Sequence, residues 1–258
     1  MNTQSDKITL NLDGDAEINV KAFIAPIEYT INNFHVEWDS LANLRVVEPE
    51  KYHSTSIFQS FLPSESVLVG ECWQIEEDGV TELLQQLHPN PNLDMHINVS
   101  DSCGLWACLR AYNNKFADIV FRIHAEFKFE DGRFTPSQFT GHLVLDRTGE
   151  KVAFFEMYVP EGPINFDVGW KKEKYSIIDS GLCPQMELRV GTQIPVQDVE
   201  FIADSITDEE AKRILTQRFY KSEQINWVLP EQALEMAQAE QKPIHVISID
   251  GPLTDEAC

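Results

Sequence analysis

The sequence feature that most restricts the fold is the run DIVFRIHAEFKFE at residues 118–130. Its apolar residues occupy the odd-numbered positions from 121 to 129, and its polar or charged residues occupy the even-numbered positions from 122 to 128. Successive side chains of a β-strand point to opposite faces of a sheet, so this period of two predicts one strand with one buried face. A one-sided sheet packed on a core is therefore the expected centre of the fold.

Neighbouring runs predict further strands of the same sheet. They are QFTGHLVLD at 138–146, KVAFFEMYV at 151–159 and INFDVGW at 164–170. Before them, TELLQQLHP at 81–89 predicts a short helix that ends at its proline. Residues 58–203 are accordingly predicted to form a β-rich, largely antiparallel domain.

The first 57 residues are predicted to form a variable segment that contains a β-hairpin. Apolar and polar residues alternate on both sides of Asp13-Gly14, which predicts strands near 8–12 and 16–24. The acidic residues also permit a different interpretation, an EF-hand calcium loop that begins at Asn11. Ala22 stands where such a loop needs its bidentate glutamate, so the hairpin is the prediction.

Composition excludes several classes of protein. Twenty lysine and arginine residues against 42 aspartate and glutamate residues give a net charge of −22, which repels nucleic-acid phosphates. The sequence has neither a run of about 18 apolar residues nor an N-terminal secretory pattern, so we expect a cytoplasmic chain without a membrane span. The cysteines are too few for a disulfide-scaffolded fold and lack paired zinc spacing: Cys72, Cys103, Cys108, Cys183 and Cys258.

The sequence pattern changes over the last 55 residues, 204–258, from alternating to helical spacing of apolar residues. Thr207 and Glu210 have the spacing of a helix capping box, and apolar residues then recur at helical spacing. A strand at 225–229, a helix that opens at Pro230 and a buried strand at 244–249 are predicted to follow. This order is how the βαβ part of a thioredoxin-like domain begins, so the fold class expected for the whole chain is α+β.

Several strings resemble the selenoprotein N family and occur in the family's order. They are FQSFLP at 58–63, FRIHAEF at 121–127, FTPSQFTGH at 134–142, PQMEL at 184–188 and KPIHVIS at 242–248, with GLWAC at 104–108 as a looser match. In that family the last strand leads to a serine, a cysteine, a selenocysteine and a glycine. Ala257 takes the serine position and Cys258 the cysteine position. The resemblance is to soluble members of bacterial type, because the EF-hand and membrane anchor of animal relatives are not recognisable.

The resemblance implies a thiol–disulfide oxidoreductase that uses a cysteine–selenocysteine pair and no separate cofactor. Cys258 would be the resolving partner of a selenocysteine at the next position. Selenocysteine is encoded by UGA, normally a stop codon, so this chain is expected to be truncated before the selenocysteine and to be inactive by itself. The implied partners are protein thiols or disulfides, or a reductant. The alternative is a non-catalytic protein-binding or regulatory module with a vestigial tail.

Two weaker site hypotheses come from the residues alone. His124, Glu126 and His142 could form a facial metal triad if the strand register allowed it, but a structural or docking surface is the prediction and no metal is expected. Cys103 and Cys108 are near each other in sequence but do not have CxxC spacing. Inert thiols are the prediction for both of them.

Overall fold

β-Strands are the commonest regular elements of the protein. The computed structural model describes residues 7–14, 16–94, 104–172, 175–191, 205–220 and 228–246. Its strands are β1 (Glu17–Ile24), β2 (Tyr29–Thr30), β3 (Glu50–Ser54), β4 (Cys72–Gln74), β5 (Pro91–Asn92), β6 (Leu105–Tyr112), β7 (Phe116–Ile123), β8 (Glu126–Phe129), β9 (Gly132–Pro136), β10 (Phe139–Asp146), β11 (Lys151–Tyr158), β12 (Phe166–Lys172), β13 (Tyr175–Leu182) and β14 (Met186–Val190). Its helices are α1 (Phe34–Glu37), α2 (Asp39–Ala42), α3 (Thr55–Gln59), α4 (Glu77–Leu87), α5 (Asp208–Phe219) and α6 (Pro230–Glu240).

The strands form two antiparallel sheets. The larger sheet has the order β3-β1-β14-β11-β10-β7-β6-β4, and the smaller has the order β2-β13-β12-β9-β8-β5. The pairings within both sheets are antiparallel, for example β7 with β10 and β8 with β9. A sheet-rich mixture of strands and helices with antiparallel sheets was predicted from the sequence, and this part of the prediction is confirmed.

The alternating run at 118–130 is divided between the two sheets. β7 ends at Ile123 in the larger sheet, and β8 begins at Glu126 in the smaller one. The single strand predicted from the alternation is therefore wrong, because the chain leaves one sheet at His124 and Ala125 while it keeps its period of two. The predicted polar face is also buried where it lies on β7, because helix α5 covers it; Arg122 is 6% exposed.

Among the described residues, β1 does not pair with the segment before it, as the expected N-terminal hairpin around Asp13-Gly14 required. Glu17–Lys21 of β1 pair with β3, and Lys21–Ile24 pair with β14. Ile8 instead forms an isolated antiparallel bridge with Val67. β1 thus lies inside the same sheet as the strands of residues 58–203.

Aromatic side chains fill the core between the larger sheet and the segment made of α3 and the residues that follow it. The Phe58 and Phe155 ring centroids are 5.1 Å apart, and those of Phe61 and Phe121 are 5.0 Å apart. Phe121 also stacks on Phe155 at 5.7 Å. All four residues are buried, and each such ring pair adds about 0.5–1.5 kcal/mol beyond the area that it buries. This packing leaves the opposite face of β7 and β10 available to helix α5.

The C-terminal elements are only partly as predicted. Helix α6 begins at Pro230, as expected. Of the predicted strand 244–249, residues 244–246 are exposed and belong to no strand, and the rest lies outside the described residues. A strand requires a hydrogen-bonding neighbour, and within the described ranges no segment pairs with these residues. No helix in the part of the chain that the structure describes is long and apolar enough to cross a membrane.

Candidate functional site

The residue expected to carry catalysis, Cys258, lies outside the described residues, and so does Cys103. Within the described residues, cysteine, histidine and charged side chains meet where helix α5 crosses β4, β6, β7 and β10 of the larger sheet. We take this junction, called the α5 junction below, as the candidate functional site.

Helix α5 is held at its start by the cap that the sequence predicted. Thr207 Oγ1 accepts a hydrogen bond of 3.1 Å from the backbone N–H of Glu210. The buried face of the helix consists of Ala211, Leu215 and Phe219, whose spacing of four residues places them on one side. This face packs on β6 and β7, so α5 is a layer on the sheet and not a free surface helix.

A pair of cysteines lies under this helix. Cys72 on β4 is directly opposite Cys108 on β6. The backbone N–H of Ile75 donates to Leu105 O, and that of Leu109 donates to Glu71 O. Ile75–Leu105 and Glu71–Leu109 are therefore hydrogen-bonded pairs of this ladder. Hydrogen-bonded and non-hydrogen-bonded pairs alternate along an antiparallel ladder. Cys72 and Cys108 therefore form a non-hydrogen-bonded pair, in which side chains approach each other most closely.

The two thiols differ in environment and in acidity. Cys108 is fully buried, and it packs with Ala211 and Leu215 of α5, whereas Cys72 is partly exposed. Hydrogen bonding with the Cys108 thiol and the nearby Arg218 guanidinium both lower the pKa of Cys72. Burial alone would raise it, but these two effects outweigh burial. The same hydrogen bond, together with burial, raises the pKa of Cys108. The arrangement favours a Cys72 thiolate that accepts a hydrogen bond from a protonated Cys108.

Charged residues join the middle of the sheet to the start of α5. His142 on β10 lies between two carboxylates: its Nδ1 is 3.0 Å from Asp118 Oδ1, and its Nε2 is 3.2 Å from Asp208 Oδ1. Arg110 pairs with Asp118, and Lys212 Nζ lies 2.7 Å from Asp208 Oδ2. The described contacts thus link two carboxylates to three basic groups.

The titration of this network follows from its contacts. Burial disfavours the imidazolium form of His142, but the contacts with Asp118 and Asp208 outweigh it and raise the pKa of His142 to about 9. The contact with His142, together with Lys212, holds the pKa of Asp208 well below its usual range, although burial opposes this. His142 is therefore protonated at neutral pH, and it acts as a cation that holds α5 on the sheet.

His124 has a different role from His142. Its ring stacks on Phe219 of α5 with centroids 3.6 Å apart, and its Nε2 accepts a 2.9 Å hydrogen bond from Arg122 Nε. Burial, with the neighbouring Arg122 charge, lowers the pKa of His124, so the ring is neutral at pH 7. Its environment is that of a packed residue and not of an open metal ligand.

The residues of the facial-triad hypothesis do not converge. Glu126 lies in the smaller sheet, where Asn92 and Thr135 contact its carboxylate, whereas His142 lies in the larger sheet opposite Val120. Within the described ranges, no group of three or more histidine, cysteine or acidic residues could hold a metal ion. The register that the hypothesis needed is absent, because β7 ends at Ile123 and Glu126 begins β8 in the other sheet.

Sequence reasoning missed Cys72 as a partner for Cys108. Cys72 and Cys108 are 36 positions apart, and no local spacing joins them. The only signal was indirect: Cys108 belongs to the GLWAC string that resembles a known family. Only the pairing of β4 with β6 brings the second thiol to it.

The described residues define a class of protein: a sheet-rich α+β chain that holds a dithiol between a helix and its larger sheet. The chain belongs to the selenoprotein N family. It is 30% identical to selenoprotein N of Danio rerio over 213 residues, which cover 69% of this chain and 38% of that protein. It is 27% identical to selenoprotein N of Homo sapiens in an alignment 268 positions long, which covers 81% of this chain and 45% of that protein.

A third relative, selenoprotein N of Mus musculus, is 29% identical over 213 residues, which cover 69% of this chain and 38% of the relative. The chain thus spans less than half the length of these curated relatives. No protein-family model and no solved structure matches it. The comparisons establish the family, and the activity has to be argued from chemistry.

Proposed function

We propose that this chain is part of a thiol–disulfide oxidoreductase of selenoprotein N type. The observation that carries the proposal is the family relationship over 69–81% of the chain. The order of the C-terminal sequence supports it: helix α6, the apolar KPIHVIS string at 242–248, and Cys258. This is the order in which a thioredoxin-like domain presents a redox cysteine.

In the proposed reaction, a selenocysteine next to Cys258 is the attacking group. A selenol is ionised at neutral pH, so its selenolate attacks a substrate disulfide and forms a mixed selenenylsulfide. The Cys258 thiolate then attacks the selenium and releases the substrate as a thiol. The substrate disulfide is thereby reduced by two electrons, and the Cys258–selenocysteine pair is oxidised by two.

The sequence contains the Cys258 half of this pair. Without a selenocysteine partner Cys258 cannot close the internal selenenylsulfide, so we expect no disulfide turnover through Cys258 alone. Protein thiols or disulfides, or a reductant of the same chemical class, are the proposed partners. No cofactor beyond the pair is required.

The codon that follows Cys258 tests the proposal directly. We expect UGA, then a glycine codon, then an open frame for most of a thioredoxin-like domain. Protein made from that frame with UGA decoded as selenocysteine should reduce a disulfide-bonded peptide. Cys258→Ser should abolish the internal selenenylsulfide, whereas Cys183→Ala, at a buried thiol, should retain it. A UAA or UAG codon, or an unchanged oxidised species in the Cys258→Ser protein, would reject the proposal.

A non-catalytic binding module is the second candidate, and helix α6 favours it. None of the residues of this helix is buried. Its exposed apolar side chains include Leu234 at 56% and Met236 at 45% exposure, and Leu229 just before it is 65% exposed. Exposed apolar side chains on a helix suit a protein partner. A decoded selenoprotein without disulfide reductase activity would favour this alternative.

A further inference from the structure

The cross-strand cysteine pair of the α5 junction has the geometry of a second redox centre. We propose that Cys72 and Cys108 form a redox-active dithiol that reduces a low-molecular-weight disulfide and closes to an intramolecular disulfide between β4 and β6. This proposal does not use Cys258 or a selenocysteine. It can therefore hold or fail independently of the proposed function.

The backbone places the two cysteines at a separation that a disulfide can span. Cys72 and Cys108 are opposite each other at a non-hydrogen-bonded position, where Cα atoms are about 4.5 Å apart. Disulfides span Cα separations of about 4.4–6.8 Å, so this pair can close without a change of register. Cys72 also packs against the small buried cluster that contains Cys108, Ala211 and Leu215.

Exposure assigns different roles to the two cysteines. Cys72 is partly exposed on β4, which is the last strand of the larger sheet, whereas Cys108 is 0% exposed beneath α5. A disulfide in solution can thus reach Cys72 but not Cys108. Cys72 is the attacking residue, and Cys108 is the resolving residue.

The surroundings of Cys72 favour its thiolate. Arg218, near the end of α5, is close enough to interact with the Cys72 sulfur, and its guanidinium also lies over the Trp106 ring, 5.7 Å from the centroid. The chain has a net charge of −22, but at this position a cation lies beside a partly exposed thiol and stabilises its thiolate. Cys183 provides the contrast, because burial raises the pKa of its thiol to about 11.

The reaction has two steps. The Cys72 thiolate attacks one sulfur of the disulfide, a mixed disulfide forms at Cys72, and one thiolate leaves. Cys108 loses its proton and attacks the Cys72 sulfur, which forms the Cys72–Cys108 disulfide and releases the second thiolate. The cysteine pair is oxidised by two electrons, and one small disulfide is reduced to two thiols. One departing thiolate takes the proton from Cys108, and the other takes a proton from solvent.

The experiment uses the full chain with the other cysteines replaced, as Cys103→Ser, Cys183→Ala and Cys258→Ser, and with its fold checked by circular dichroism. Glutathione disulfide is the probe, and acid-quenched samples are analysed by mass spectrometry. We expect loss of both thiols, a peptide linkage between residues 72 and 108, no accumulation of the glutathione adduct, and recovery of both thiols with dithiothreitol. Two free thiols, or an adduct that accumulates at Cys72, would overturn the proposal.

Single variants separate the two roles. In the same background, Cys108→Ala should accumulate one glutathione adduct at Cys72, because the resolving thiol is gone. Cys72→Ala should give no adduct, because Cys108 is buried while α5 is in place. An adduct at Cys108 in a folded Cys72→Ala protein would contradict the assignment.

Arg218 provides a second measurement that leaves both sulfurs in place. Arg218→Gln should slow the loss of the Cys72 thiol at pH 7 by about three- to tenfold. Each unit by which the Cys72 pKa rises lowers its thiolate population about tenfold, and the higher nucleophilicity of the less acidic thiol offsets part of this. Arg213→Gln is the matched control, an exposed arginine on the same helix. Equal rates for the two variants would show that Arg218 does not activate Cys72.

Discussion

His142 Nε2 on strand β10 lies 3.2 Å from Asp208 Oδ1 at the first residue of helix α5. This contact joins the sheet to the helix that covers the cysteine pair. The other ring nitrogen of His142 is 3.0 Å from the fully buried Asp118. The imidazolium is therefore the link between a carboxylate inside the sheet and a carboxylate on the helix, and its protonation contributes to the docking of α5.

The stability of the protein should depend on pH through His142. Its pKa is about 9 in the folded protein and 6.5 as a free side chain. A raised folded-state pKa gives stabilisation that is complete below about pH 6.5 and is lost as the pH rises through about 9. The shift corresponds to about 3 kcal/mol. Urea unfolding of the wild type and of His142→Gln should show a difference in unfolding free energy that is large at pH 6 and absent at pH 10.

Other groups also titrate above pH 8, so the comparison between the two proteins is the informative quantity. His35→Gln provides a control at a histidine outside the α5 junction, where Thr30 contacts the ring. A wild-type-minus-His142→Gln difference that stays constant between pH 6 and pH 10 would show that the imidazolium of His142 does not stabilise the fold.

The N-cap of α5 should make a separate contribution to stability. Thr207 Oγ1 satisfies the backbone N–H of Glu210, which has no intrahelical partner at this position. Thr207→Ala should lower the unfolding free energy by about 1 kcal/mol, and Thr207→Ser should retain most of it. Equal stability of the alanine and serine variants in urea unfolding would contradict a capping role for this hydroxyl.

The end of α5 should be more sensitive to substitution than its start. Phe219 is 1% exposed and stacks on His124 with ring centroids 3.6 Å apart. Phe219→Ala should cost about 3–5 kcal/mol, because it removes this contact and leaves a cavity over the sheet. Phe219→Leu should recover part of the loss. A change below about 1 kcal/mol for the alanine variant would mean that α5 is not firmly packed at this end.

Local patterns predicted the elements of this fold better than their partners. Alternation identified the strands around 139–146 and 151–158, and the Thr207–Glu210 spacing identified the cap of α5. The same alternation could not reveal that the chain changes sheets at His124 and Ala125, because a period of two continues through the crossing. Local sequence determines which face a side chain takes, whereas long-range pairing determines what covers that face.

The candidate site was hidden for the same reason. Arg122 and His142 look like a solvated polar face, but a helix more than 60 positions later in the sequence buries Arg122 and covers most of His142. Cys108 meets Cys72 only through the register of β4 and β6. Two cysteines that meet across strands cannot be recognised as partners from the local sequence around either one. The role of Cys258 was assigned from the strings around it, and it stays a prediction because Cys258 lies outside the described residues.

The last prediction concerns helix α6 and distinguishes it from the sheet. The helix has 11 residues and none of them is buried. Isolated helices shorter than about 12–15 residues are marginal in water, because tertiary packing supplies most helical stability in proteins. We therefore expect the amides of Pro230–Glu240 to exchange quickly with solvent and this segment to be cut early by protease.

Strands β7 and β10 should behave in the opposite way, because each pairs on both sides and most of their residues are buried. Their amides should exchange only on global or near-global unfolding. Mass spectrometry after deuterium labelling can compare peptides of the two regions in one sample of monomeric protein, and a non-exchanging β7 peptide would serve as the internal reference. Slow exchange across 230–240 in that monomer would contradict the prediction, because an uncovered helix of this length cannot protect its own amides. It would mean that another part of the chain covers the apolar side chains of α6.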